Sequence, residues 1–65
     1  MHIGNRIQIM RNNRKLTLKQ TADTITSSSY LAKIEEGNYP PRPHVLQALE
    51  RKFEVHPGFL TNYEQ

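Results

Sequence analysis

Apolar residues recur along this chain at the spacing of an α-helix, and no segment alternates with the period of two that is typical of a strand. The clearest apolar stripes have members three, four or seven positions apart, so their members share one helix face. These stripes are Ile3, Ile7 and Met10, then Leu31 and Ile34, then Leu46, Leu49 and Phe53. The pattern predicts an all-α fold.

Capping residues and helix breakers divide this pattern into five short helices. Thr17 and Gln20 have the spacing of a capping box, and Ser27 is a favourable N-cap for the next helix. Gly37 stands where a left-handed C-cap residue belongs, and Pro43 suits the first position of a helix. The predicted helices span residues 3–13, 18–25, 28–36, 43–53 and 57–62.

The second and third predicted helices are separated by a very short turn around Thr26. So tight a connection forces two helices to cross steeply, which makes the pair a helix-turn-helix. In such a unit the second helix fits the major groove of B-DNA, and the first lies across the DNA backbone. The pattern therefore predicts a DNA-binding element.

Length and composition limit what else the chain can do. With 65 residues, of which 35% are hydrophobic, it has enough apolar side chains for one small core. A core of this size leaves little room for a catalytic cleft, so we expect no enzyme. The chain has no cysteine, which excludes disulfides and thiolate zinc sites. No two histidines have the i, i+4 spacing of a helical metal site, and we expect neither a metal nor another cofactor.

Charge and hydropathy point to a polyanionic partner. Nine Lys and Arg residues against six Asp and Glu residues give a net charge of +3, and a basic balance in a small domain favours nucleic acid. The longest uninterrupted apolar run is Tyr30-Leu31-Ala32, far too short to span a bilayer. The N-terminal segment lacks the apolar core of a signal peptide. We therefore expect a cytoplasmic protein.

Several strings of residues together point to a known family. They are Ile3-Gly4-x-Arg6-Ile7, Leu16-Thr17, Ser27-x-Ser29-Tyr30-Leu31-x-Lys33-Ile34-Glu35-x-Gly37, Leu46-x-x-Leu49 and Val55-x-Pro57. From Ile3 to Leu60 the chain resembles the lambda-repressor/Cro-type helix-turn-helix domains, also called the xenobiotic-response-element family. The resemblance implies a sequence-specific transcription regulator of bacteria or phages, most often a repressor, that binds double-stranded DNA at a near-palindromic operator.

The resemblance also assigns roles to particular positions. The base-contacting positions implied by the family are Ser28, Ser29, Ala32 and Lys33. The helical wheel agrees, because these positions lie opposite the inward pair Leu31 and Ile34. The phosphate-contacting positions implied by the family are Arg11, Thr17, Ser27, Tyr30, Asn38, Tyr39 and Arg42, with Arg14 and Lys15 as further candidates.

The resemblance also implies a structural pair inside the fold and a dimer surface. Arg6 of the first helix and Glu35 of the third are expected to form a structural pair inside the fold. The expected dimer surface lies near the C-terminus and consists of Val55, Phe59, Leu60 and Tyr63. A surface of that size predicts a weak homodimer in solution, or a dimer that forms on DNA.

The chain departs from the family pattern in two places. Leu18 stands where the family usually has a glutamine that contacts a phosphate, and the turn around Thr26 lacks the usual glycine. The shortened turn is similar to that of the N-terminal domains of tetratricopeptide-type, peptide-responsive regulators of Gram-positive bacteria. That likeness implies a peptide or protein effector acting through an additional C-terminal part.

Two other functions are compatible with the residues. The base-contacting positions offer no bidentate amide or guanidinium group, which is compatible with a protein-interaction module such as an antitoxin or adaptor that retains the fold. The basic surface is compatible with non-specific binding to nucleic acid or to an anionic membrane. Because the positive charges are spread over several helices rather than one amphipathic stripe, the membrane is disfavoured.

Overall fold

The computed structural model describes residues 2–61. Its helices are α1 (Ile3–Asn13), α2 (Leu18–Ala22), α3 (Ser28–Glu35) and α4 (Pro43–Phe53). The expected all-α fold is confirmed over this range, which contains no strand. The expected number of five helices is wrong, because these residues form four helices.

The predicted fifth helix at 57–62 is replaced by consecutive turns at 57–61, and position 62 lies outside the described residues. Gly58 takes a left-handed φ of 86°, which interrupts any helical path. The buried Glu50 carboxylate accepts hydrogen bonds from the amides of Gly58 at 3.1 Å and Leu60 at 3.0 Å. These amides are thus satisfied by a side chain of α4, and the segment folds back as turns.

The second helix is shorter than the predicted 18–25 and ends at Ala22. Asp23 leaves the helix with a ψ of 129°, and Thr24 then takes a left-handed φ of 64°. A β-branched residue is strained in this conformation. The connection between α2 and α3 therefore comprises residues 23–27 and is longer than the turn that the sequence predicted.

The predicted starts of α2, α3 and α4 are confirmed. The Thr17 hydroxyl accepts from the Gln20 amide at 3.0 Å, and the Thr17 amide donates to Gln20 Oε1 at 2.8 Å, which completes the capping box. The Ser27 hydroxyl accepts from the Tyr30 amide at 3.1 Å at the start of α3. Pro43 occupies the first turn of α4, where its missing amide hydrogen costs nothing.

All four helices and the turns after α4 contribute to the core. Its buried apolar side chains are Ile7, Met10, Ala22, Leu31, Ile34, Val45, Leu49, Phe53 and Leu60. Gly4 of α1 lies directly against α3, and a Cβ at this position would collide with the carbonyl oxygen of Ile34 and approach Glu35. The absence of a side chain at Gly4 is therefore what allows this packing.

Glu35 pairs with Arg11, so the predicted pair of Arg6 and Glu35 is wrong. Arg11 donates from Nε to Glu35 Oε2 at 2.7 Å and from Nη2 to Oε1 at 3.0 Å, and its Nη1 donates to the Leu16 carbonyl at 2.8 Å. The hydrogen bond to Glu35 is the main cause that raises the pKa of Arg11, although burial acts against it. Arg11 lies seven residues after Gly4, on the face of α1 that packs against α3. The guanidinium of Arg6 instead lies 4.7 Å from the centre of the Phe59 ring.

Candidate nucleic-acid interface

The exposed side of α3 brings the four predicted base-contacting residues together. Ser28, Ser29 and Lys33 are exposed, and Ala32 between them is half-buried. The opposite side of the helix is anchored in the core by Leu31 and Ile34. The side chains that the helical wheel turned outward are therefore outward in the structure. Their contact with bases remains a prediction.

A shallow groove with both polar and apolar lining residues lies beside the start of α3 and connects that helix with the start of α4. Its lining residues are Ile25, Thr26, Ser27, Tyr30, Arg42, His44 and Val45. The groove brings together three of the predicted phosphate-contacting residues, Ser27, Tyr30 and Arg42. The Tyr30 hydroxyl already donates to the Pro40 carbonyl at 3.4 Å, so a phosphate would have to replace this acceptor. Arg42 precedes α4, makes no side-chain cap bond to it and is exposed. Its guanidinium is therefore positioned to meet an anion.

His44 belongs to the same groove and was missed by the sequence reasoning, which considered the histidines only as metal ligands. It is exposed in the first turn of α4. The available signal was its position two residues after Arg42 and next to the helix-starting Pro43. An imidazole N–H is a hydrogen-bond donor, so His44 is an additional candidate for a phosphate contact.

A tight turn at the end of α3 folds the following chain back beside the helix. The Gly37 amide donates to the Ile34 carbonyl and the Asn38 amide to the Lys33 carbonyl, both at 3.0 Å. With Gly37 at a φ of 87°, this is a Schellman motif, and the predicted C-cap is confirmed. The turn places Tyr39 beside Lys33.

Asn38 is at the predicted end of α3, but its side-chain amide is already engaged. Asn38 Nδ2 donates to Glu36 Oε1 at 3.0 Å, and both residues are exposed. A phosphate would have to replace a carboxylate as the acceptor of this hydrogen bond. Thr17, at the start of α2, is also exposed; its hydroxyl oxygen accepts the capping bond, and its O–H hydrogen can still donate.

Two of the arginines named for phosphate contact stabilise the fold instead. Arg11 is bound to Glu35, and its side chain is only 12% exposed, so we remove it from the phosphate set. Arg14 donates to the carbonyls of Met10 at 3.1 Å and Phe53 at 2.9 Å. Its guanidinium also lies 5.1 Å from the centre of the Phe53 ring. Lys15 is exposed at the end of α1.

Comparison with known families decides the identity of the fold. A helix-turn-helix family model matches residues 7–60, which is most of the chain. The chain belongs to the lambda-repressor/Cro-type helix-turn-helix family. This is a family of DNA-binding domains of transcription regulators and not a family of enzymes. No curated protein and no solved structure gives a significant match to the chain.

The residues predicted to form the dimer surface of this helix-turn-helix domain are buried to different extents in the structure. Leu60 is fully buried in the core, so its assignment to that surface is wrong. Phe59 is half-buried, with the His56 ring packed edge-on at 5.2 Å. Val55 is half-buried and lines an apolar groove between α4 and the turns that follow it. Tyr63 lies outside the described residues.

Other kinds of site find no support within residues 2–61 of the helix-turn-helix domain. This range contains no group of three or more His, Cys, Asp or Glu side chains arranged to hold a metal ion. Nor does it contain a helix with the length and apolar character needed to cross a bilayer.

Proposed function

We propose that this protein is a sequence-specific transcription regulator of bacterial or phage origin, a repressor that binds double-stranded DNA in the cytoplasm. The observation that supports this most directly is the exposure of Ser28, Ser29 and Lys33 on one side of α3, opposite the buried Leu31 and Ile34. A helix anchored in this way can enter the major groove without disturbing the core. Where the operator overlaps a promoter, the bound domain would exclude the polymerase and so repress transcription.

The proposed base contacts follow from the chemistry of the exposed side chains. The Lys33 ammonium donates to guanine O6 and N7, and the hydroxyls of Ser28 and Ser29 suit either base type. The methyl group of Ala32 meets a thymine methyl. Because this set contains no bidentate group, direct readout is modest, and DNA shape and bridging water supply the remaining specificity.

The proposed phosphate contacts surround these base-contacting residues and fix their register on the duplex. They are Thr17, Ser27, Tyr30, Asn38, Tyr39 and Arg42, with His44 added from the structure. Most of them are neutral donors. The cations proposed to contact DNA are Lys33 and Arg42, so log K should fall with log salt at a slope of about −2 per protomer.

Two copies of the domain are needed to select one site in a genome, since a single α3 meets only a few base pairs. We propose that the protein dimerises on a near-palindromic operator, with the two α3 helices about 34 Å apart, one turn of B-DNA. An effector acting through additional protein sequence would tune this binding.

The test is selection of binding sites from a randomised duplex library, followed by affinities for the selected duplex and a shuffled one. Lys33→Ala should cost about 1–3 kcal/mol on the selected duplex and change the base preference. Arg42→Ala should weaken binding to both duplexes alike and make the salt slope shallower by about 1. Arg51→Ala is the matched control, because Arg51 is exposed at the far end of α4.

Two results would contradict the proposal. The first is a library from which no sequence is enriched, which would favour the protein-interaction function that the sequence also allows. The second is equal binding of the selected and shuffled duplexes, which would reduce the function to non-specific attachment.

A further inference from the structure

Two tyrosines and a lysine lie against one another: Tyr30 and Lys33 on α3, and Tyr39 in the segment that follows it. Lys33 Nζ is 5.8 Å from the centre of the Tyr39 ring. The Tyr39 and Tyr30 rings have centres 5.9 Å apart and planes inclined by 36°. Tyr39 is 47% exposed, so this arrangement is at the surface, on the helix that carries the proposed base contacts.

The chain fixes the position of the Tyr39 ring from both sides. Before it, the Schellman turn hydrogen-bonds Asn38 back to the Lys33 carbonyl at 3.0 Å. After it, Pro40 and Pro41 restrict the backbone, and the Tyr30 hydroxyl donates to the Pro40 carbonyl at 3.4 Å. Contact with the Tyr30 ring then orients the Tyr39 side chain. The ring therefore has a defined place relative to α3.

Lys33 by contrast has a long and flexible side chain. An unrestrained lysine reaches several base edges and loses rotamer freedom when it binds one of them. A cation within about 6 Å of the centre of an aromatic ring is attracted to the ring face. The Tyr39 ring thus limits the region that the Lys33 ammonium occupies.

We infer that Tyr39 is a positioning residue for Lys33 and sets which base pair the lysine reads. This inference rests on the proposed DNA-binding function. It gives the Tyr39 ring a role of its own, separate from the proposed phosphate contact of the Tyr39 hydroxyl. Loss of an exposed cation–π contact corresponds to about a two- to fivefold change in an equilibrium. The preference at the base pair read by Lys33 should change by that factor.

The test compares Tyr39→Leu, which removes the aromatic face, with Tyr39→Phe, which keeps the face and removes the hydroxyl. The base pair read by Lys33 is first identified as the position at which Lys33→Met lowers the preference of the selected duplex most. Tyr39→Leu should then lower that preference about two- to fivefold, and Tyr39→Phe should preserve it. In a Lys33→Met background, Tyr39→Leu should change the preference no further. A phosphate contact by the Tyr39 hydroxyl would appear separately, because Tyr39→Phe would then bind every duplex more weakly by the same factor.

A second measurement tests the contact without DNA. In the NMR spectrum of the free protein, the ring current of Tyr39 should shift the ε-methylene protons of Lys33 upfield. The shift should persist in Tyr39→Phe and disappear in Tyr39→Leu.

Three results would overturn the role of Tyr39 while leaving the DNA-binding function intact. They are an unchanged preference in Tyr39→Leu, an equal loss of preference when Lys33 is already methionine, and the absence of the upfield shift in the free protein. Failure of the unsubstituted protein to discriminate between duplexes would refute the proposed function itself, and the inference with it.

Discussion

Replacing Arg11 by methionine should destabilise the domain severely, because the substitution leaves a buried carboxylate without its cation. Glu35 is only 6% exposed, and both of its oxygens accept hydrogen bonds from the Arg11 guanidinium, at 2.7 and 3.0 Å. Arg11→Met also removes the donor to the Leu16 carbonyl. Methionine keeps most of the apolar part of the arginine side chain, so the substitution mainly removes the positive charge and its hydrogen bonds.

The expected cost is about 3 kcal/mol, at the lower end of the range for breaking a buried ion pair, since the Arg11 side chain keeps a 12% exposed edge. A domain of this size has a free energy of unfolding of about 3–10 kcal/mol. The variant should therefore lose about 30% or more of its free energy of unfolding, and its Tm should fall by more than about 10 °C.

Urea denaturation followed by circular dichroism measures this difference. Arg51→Met is the matched control, because Arg51 is exposed on α4 and should lose less than about 0.5 kcal/mol. The double variant Arg11→Met/Glu35→Met, which removes both charges, should be more stable than Arg11→Met alone. If the free energies of unfolding of Arg11→Met and Arg51→Met differ by less than about 1 kcal/mol, the buried ion pair does not contribute the stability assigned to it.

Three further substitutions test the packing by the same urea measurement. Gly4→Ala should cost about 2–3 kcal/mol, because the new Cβ collides with the Ile34 carbonyl; a gain, as alanine gives in an open helix, would show that α1 and α3 are not in close contact. Thr24→Gly should add about 1 kcal/mol by relieving a β-branched residue at a φ of 64°, and a loss would contradict that backbone conformation. Thr21→Val should also add about 1 kcal/mol, because the buried Thr21 hydroxyl has no hydrogen-bond partner among the described residues; a loss would show that the hydroxyl is bonded.

The features that the sequence predicted correctly depend on residues close together in the chain. The capping box of Thr17 and Gln20 and the Ser27 cap each require contacts only three residues apart. The exposed side of α3 follows from Leu31 and Ile34, because burial of one helix face determines which residues face away from it. For this reason the candidate base-contacting residues were predictable.

The features that the sequence did not predict depend on contacts between distant segments. Both Arg6 and Arg11 lie on α1, and only the crossing of α1 over α3 decides which of them reaches Glu35. Lys52 donates from α4 to the Gln20 carbonyl of α2 at 2.6 Å, although the two residues are 32 positions apart in the chain. Glu50 similarly organises the turns that replace the predicted fifth helix. Spacing along the chain carries no information about these partners.

The most direct test of the account is to map the DNA-binding surface residue by residue. In amide NMR spectra of the protein titrated with the selected duplex, the largest changes should fall at Thr17, at residues 27–33 and at the non-proline residues of 38–44. Amides on the exposed side of α1, at Gln8 and Asn12, should change little. Changes centred on the apolar groove at Leu46 and Val55, with α3 unaffected, would contradict the claim that α3 recognises DNA.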